Sequence, residues 1–367
     1  VAAVPEVTKP ARVQGIDVAR GIASMLMVQG HAFDAWTSPE ARETTWYAIE
    51  RVFLQTLALP AFLVLAGASL ALRVEAAAVK GERAADVRRA VLSRALQIVV
   101  VGYALNAFSA IVDGSEGIVT WLRADVLHVI GLSLASLALA IRGERVRAEV
   151  VTRVAIGIAI VPIVICPWVT RWSRTVEGPI GWVLGLFADV PGITRMPWIP
   201  LASWAAIGFL VARAMIVRNR DVRSAAGAPT SFVIAMGVTA SVVIVAGTWA
   251  QHALVDALGG PLDRAHVAVI ANAVQLVARG ILVLAVGALI APRLPERVRW
   301  AVVVMGQGSL WAYAFHVPLC YGRFAEVSRL REGLSIGACA LAATLLVIAS
   351  WGAAGLKRIK DRRWANS

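Results

Sequence analysis

The sequence predicts an all-α, polytopic integral membrane protein of about ten transmembrane helices with both termini in the cytoplasm. Three observations predict it. The 367 residues are 59% hydrophobic and 16% charged, with a mean hydropathy of +0.72, far from the usage of soluble domains. Apolar runs of about 20 residues, enough at helical rise to cross a hydrocarbon core of roughly 30 Å, recur along the whole length. The basic residues gather in alternate loops between those runs.

The predicted spans lie near residues 16–36, 52–72, 91–112, 118–141, 150–168, 197–217, 230–250, 266–291, 300–322 and 334–354. The first carries Asp17 and Arg20 and is too long for a signal-peptide core, so it is read as a retained span. The stretch 178–192, "GPIGWVLGLFADVPG", is short and broken by Gly and Pro, and reads as an interfacial or re-entrant helix. No repeat or linker divides the chain. The reading is one transmembrane domain over 16–356, between a cytoplasmic tail at 1–15 and a basic cytoplasmic tail at 357–367.

The net charge is +13. In a soluble protein that would suggest nucleic acid, but short loops hold the charge here, and no nucleic-acid partner is expected. With the N-terminus inside, cytoplasmic segments hold 24 Lys and Arg against nine on the opposite side, which sets the orientation by the positive-inside rule. Arg20, Arg123 and Arg279 fall within spans. Cys166, Cys320 and Cys339 have neither metal-knuckle nor redox spacing and read as buried thiols.

Ionisable groups inside spans are costly and mark sites or pathways by default. His31 and Asp34 lie late in an outward-running span, and Asp125 and His128 early in an inward-running one. His316, in "GSLWAYAFHVP", ends another outward-running span. All five therefore share the outer half of the membrane. His31 and Asp34 are i and i+3 on one helix face, as are Asp125 and His128. Arg20 lies eleven residues before His31, three turns toward the cytoplasm on nearly the same face. Asn272, Gln275 and Arg279 form a second stripe, and Ser309, Tyr313 and His316 a third. A carboxylate one turn from His31 is what a general base needs to fix its tautomer.

Plainer readings stand beside these. Arg20 can simply pair with Asp17 or snorkel, His128 can be a structural partner of Asp125, and His316 can hold helices together by a hydrogen bond. Two His and two Asp could also bind zinc, but no metal is expected. His252 and His266, at span ends in an outer loop, read as solvated.

At these residues the chain resembles the bacterial relatives of heparan-α-glucosaminide N-acetyltransferase, within the transmembrane acyltransferase superfamily that includes the acyltransferase type three proteins. The resemblance is carried by "RVQGIDVARGIASMLMVQGHAFDAW", "LPAFLVLAGASLAL", "DVLHVIGLSLA", "MPWIPLASWAAIGFLVAR" and "MGQGSLWAYAFHVPLCYG", in this order over most of the chain. It implies transfer of an acyl group, typically acetyl, from cytosolic acyl-CoA to a hydroxyl or amine of an extracytoplasmic glycan or sugar, in a bacterial inner membrane. The Arg-x10-His spacing of the type three proteins is matched by Arg20 and His31, so the resemblance makes His31 the catalytic base. Asp34, Asp125, His128 and His316 carry over as orienting or acceptor-binding groups.

On that reading acyl-CoA is the donor substrate, its phosphates near basic loop residues, Arg20 and Arg279, and its thioester near His31. Asp34 would orient the imidazole, and Asn272 or Tyr313 would donate to the developing oxyanion. An acyl-histidine intermediate is the competing mechanism. The partners are then membrane lipids, acyl-CoA and a sugar acceptor, with a homo-oligomer left open. The rival reading is a transporter or flippase using the same polar groups, against which stands the lack of a visible repeat or paired broken helices.

Overall fold

A computed structural model of the chain describes residues 14–113, 118–218, 230–258, 264–322 and 329–365. Among them the regular structure is helical throughout, with three isolated β-bridges and no strand. The helices are α1 (Gln14–Trp36), α2 (Pro39–Arg42), α3 (Thr45–Lys80), α4 (Ala84–Asp113), α5 (Ile118–Leu122), α6 (Val126–Ala138) and α7 (Ala148–Ser173). They continue as α8 (Gly178–Leu184), α9 (Trp198–Arg218), α10 (Thr230–Leu258), α11 (Arg264–Ile290), α12 (Glu296–Gln307), α13 (Ser309–Tyr321) and α14 (Ile336–Ala365). The expected N-terminal tail lies outside the described residues up to residue 13, as do Arg323 and the side chains of His252 and His266.

Among the described residues seven helices are long and apolar enough to cross a membrane, in α3, α4, α7, α9, α10, α11 and α14. Their outer faces are apolar as well: Trp249, Val238, Val242 and Val245 of α10 are exposed. A water-facing helix would place polar residues there, so these are the faces of an integral membrane protein.

Three of the ten expected spans are not among the seven. The first became α1, a continuous helix of 23 residues that carries Asp17, Arg20, His31 and Asp34. The fourth is not one helix but α5 and α6, interrupted at 123–125, where Ala124 pairs in a parallel bridge with Thr194 and Asp125 caps α6. The ninth is likewise two helices, α12 and α13, which meet at Gly308. The three departures from apolar continuity are therefore the three segments bearing His31, His128 and His316. The stretch 178–192 holds α8, only seven residues long.

α3 is the centre of the bundle and packs most extensively against α9 and α11. The α3–α9 approach depends on glycine: a Cβ on Gly67 would overlap the Ala205 carbonyl, and one on Gly208 the Val64 carbonyl. Small residues let membrane helices approach closely where apolar surface alone gives no preference for a neighbour. α3 ends on Gly81 at φ 63°, the left-handed conformation that glycine adopts without a Cβ penalty.

α1 lies against α11, α12, α13 and α14. Near its N-terminus Gly306 of α12 sits on the Asp17 carbonyl with no room for a side chain. α13 then continues along α1 toward its C-terminal end, which carries His316 to the level of His31. The three cysteines are buried and unoxidised, and Cys339 of α14 bonds the Ala32 carbonyl of α1 at 3.6 Å.

Candidate active site around His31

The site forms where α13 meets the C-terminal part of α1. His31 Nδ1 lies 2.9 Å from His316 Nε2, and His316 Nδ1 lies 2.6 Å from the carbonyl oxygen of Ala312. A carbonyl only accepts, so His316 carries its proton on Nδ1 and offers the Nε2 lone pair. His31 must then donate from Nδ1. In the neutral pair this leaves the Nε2 of His31 as a lone pair facing away from the relay. His316 is fully buried and His31 half-buried, so the inner ring is fixed and the outer one is reachable.

Two tyrosines complete the cluster. The Tyr313 ring lies edge-on to His31 at 6.1 Å and to His316 at 5.7 Å, and the Tyr321 ring is 5.5 Å from His31. Tyr313 packs in one apolar cluster with Met27 of α1, Ala58 of α3, Ile98 of α4, and Val126 and Leu127 of α6. That cluster is what draws five helices together beneath the site.

Asp34 shares the face of His31 but does not take the partner its spacing suggests. Instead of bonding His31, its carboxylate accepts from the Tyr321 hydroxyl at 2.8 Å; the imidazole nitrogen it was expected to orient is bonded to His316. The outer end of α1 is held firmly around it. A helix leaves its last four carbonyls without intrahelical partners, and here each has one. Phe33 O accepts from Thr37 N, Asp34 O from Arg42 Nη2, Ala35 O from Glu332 N and Trp36 O from Leu334 N, at 2.7 to 3.3 Å.

Asp125 and His128 form a reciprocal cap, the structural partnership that is the plainer of the two readings. Asp125 Oδ1 accepts from Val126 N at 2.6 Å, and the Asp125 N–H donates to His128 Nδ1 at 3.1 Å. That is a capping box at the head of α6. His128 is wholly buried, with its ring against Tyr103 at 4.2 Å.

Arg20 sits three turns below His31, bonded to Asp17 at 3.2 Å and to Ser69 of α3. Asp17 also accepts from Gln307 Nε2 of α12 at 3.1 Å. This group joins α1, α3 and α12 and leaves Arg20 22% exposed. Of the stripe on α11, Asn272 is exposed, Gln275 turns to the Gly247 carbonyl of α10 at 3.0 Å, and Arg279 is half-buried. No described contact of Asn272 or Arg279 reaches the histidine pair.

Three groups escaped the sequence reading. Tyr321 lies five residues after His316, off the i, i+3, i+7 stripe, and reaches the site because α13 ends there. Arg195 looked like one of nine loop cations. Its backbone N–H bonds Ala124 O at 3.0 Å, and Met196 beside it packs against the Tyr313 cluster. Glu50, buried in a π-helical turn at the start of α3, accepts from Gln55 at 2.6 Å and Gln29 at 3.5 Å. Neighbouring π-turns often mark functional sites, and only the backbone reveals this one.

Fold and site together define a polytopic membrane protein with a histidine-centred site carried by α1 and α13. Residues 12–244 match the model of the family described as heparan-alpha-glucosaminide N-acetyltransferase, catalytic. The match covers more than half of the chain, which belongs to this family of membrane acetyltransferases. No curated protein matches the chain. His316, Tyr313 and Tyr321 lie beyond the matched residues, so the fold joins a matched histidine, His31, to an unmatched partner.

Proposed function

We propose that the protein transfers an acyl group, acetyl by family, from cytosolic acyl-CoA to a hydroxyl or amine of a sugar or glycan on the far side of the membrane. His31 is the general base. The observation that carries this reading is the relay from the Ala312 carbonyl through His316 to His31. It fixes one tautomer and leaves a single lone pair, at His31 Nε2, at a half-buried position.

In the proposed reaction the acceptor N–H or O–H donates to His31 Nε2 while its heteroatom attacks the thioester carbonyl. The new C–N or C–O bond forms as the carbonyl electron pair moves to oxygen, within reach of the Tyr313 hydroxyl. Collapse breaks the C–S bond, and the proton on His31 passes to the departing CoA thiolate. His316 Nε2 holds the Nδ1 proton of the imidazolium in between, the role that sequence spacing had offered to Asp34. General base catalysis of this kind contributes about 10²- to 10⁴-fold.

The arrangement in the bilayer is part of the proposal. α1, the α5–α6 pair and the α12–α13 pair complete ten crossings with the seven apolar helices, both termini are cytoplasmic, and residues 16–356 are one catalytic unit in a bacterial inner membrane. Arg20 and the basic inner loops then face the nucleotide end of the donor.

The test is purified protein with radiolabelled acetyl-CoA and a panel of amino sugars and glycans, scored for free CoA and labelled sugar. Labelled product from the parent and at least a hundredfold loss in His31→Ala are the expected results. Equal turnover by His31→Ala would remove the base. Solute flux into proteoliposomes without any acyl-CoA would replace enzyme by transporter.

A further inference from the structure

Asp34 occupies a position that the relay does not use. It stands one turn beyond His31 on the same face of α1, where side chains three apart have Cβ atoms about 5–6 Å from each other. Its Oδ2 is committed to the Tyr321 hydroxyl at 2.8 Å, a charge-assisted bond of the stronger kind. Its side chain is exposed, and Oδ1 keeps its lone pairs for what arrives from outside.

Tyr321 is itself held at both ends. Its carbonyl accepts from Arg331 Nη2 at 2.9 Å, and the Gly322 N–H closes the helix on Pro318 O at 2.7 Å. The hydroxyl that grips Asp34 therefore belongs to a fixed ring, edge-on to the His31 imidazole. One side chain touches both the carboxylate and the base.

We propose that Tyr321 is a positioning residue for the acceptor: it turns Asp34 so that Oδ1 accepts a hydrogen bond from the group next to the nucleophile while His31 Nε2 takes the nucleophile's proton. The proposal rests on the acyl-transfer reading and deepens it. The acceptor it selects carries two adjacent hydrogen-bond donors, an amino group beside a hydroxyl or a vicinal diol, as sugars do. A simple alcohol or amine fills only the histidine half of the site. The Tyr321 hydroxyl acts through Asp34 and forms no bond to a reacting atom.

The experiment uses the full chain with glucosamine as probe and compares the parent, Tyr321→Phe, Asp34→Ala and the double variant. Tyr321→Phe keeps the ring against His31 and removes only the hydroxyl. Its KM for glucosamine should rise about tenfold, the loss of one hydrogen bond, with kcat and the KM for acetyl-CoA changed by less than about twofold. Because the tyrosine acts through the carboxylate, the double variant should be no worse than Asp34→Ala.

An unchanged glucosamine KM, a fall confined to kcat, or multiplicative losses in the double variant would each overturn the proposal. Calorimetric titration of glucosamine separates it from the reading beneath it. Binding weakened about tenfold in Tyr321→Phe supports the positioning role even if no CoA is released, an outcome that sinks only the transferase. A parent that does not bind glucosamine overturns the positioning role.

Discussion

His31 and His316, 285 residues apart in sequence, share a hydrogen bond of 2.9 Å between Nδ1 and Nε2. The pair behaves as one unit, because the proton that His316 gives to Ala312 O dictates which nitrogen of His31 is free. Replacing His316 by Phe keeps the ring's volume and deletes both nitrogens. Acetyl transfer should fall by about 10²-fold, and the His31→Ala/His316→Phe double variant should be no slower than His31→Ala, since groups acting as a unit are not additive. Initial rates of CoA release decide it; multiplicative losses would mean that the two act separately.

Arg20 stands at the other end of α1 and ties three helices through Asp17, Ser69 and Gln307. Arg20→Met should lower stability by about 1–3 kcal/mol, because it removes the cation that bonds the buried Asp17 and Ser69 across α1 and α3. Unfolding in detergent measures it. A rise in the KM for acetyl-CoA beyond this stability loss would mark Arg20 as a donor contact too.

Asp125 is a helix cap in this structure, and its substitutions should behave as cap substitutions do. Asp125→Ala should cost about 1 kcal/mol, and Asp125→Ser, which also accepts from the first turn, should recover most of it. If Asp125→Ser recovers stability without recovering the rate, the carboxylate has a role in transfer as well.

Glu82, in the loop after α3, is bonded to Arg73 at 2.6 Å, and that bond holds its carboxyl below the ordinary value of 4.5. A carboxylate whose pKa is lower folded than unfolded stabilises the fold above its unfolded pKa, and loses that contribution as pH falls through its folded pKa. The parent should therefore melt higher than Glu82→Gln at pH 6, and the difference should shrink below pH 4.5. The effect is small, because both side chains are about a third exposed.

The membrane class was legible in the sequence because it follows from apolar run lengths. Helix periodicity correctly placed Arg20 beneath His31. Partnership was not legible, because an i, i+3 spacing says that two side chains share a face, not that they bond. His31 found His316 on another helix, Asp34 found Tyr321, and Asp125 turned to its own backbone. The break at Gly308 and the bridge at Ala124 depend on contacts with Ala354 and Thr194, which run between distant parts of the chain. Local pattern carries no trace of them.

The four satisfied carbonyls at the end of α1 have a bearing on how the protein works. A carrier that exposes its site to each side in turn must rock or unwind the helix bearing that site, and here such a motion would break several bonds at once, two of them to the 332–334 segment. The imidazole is bolted in place. On the proposed acyl-transfer function, donor and acceptor would each come to it from opposite faces of the bilayer, and the protein would serve as a stationary bench on which only the acyl group changes sides.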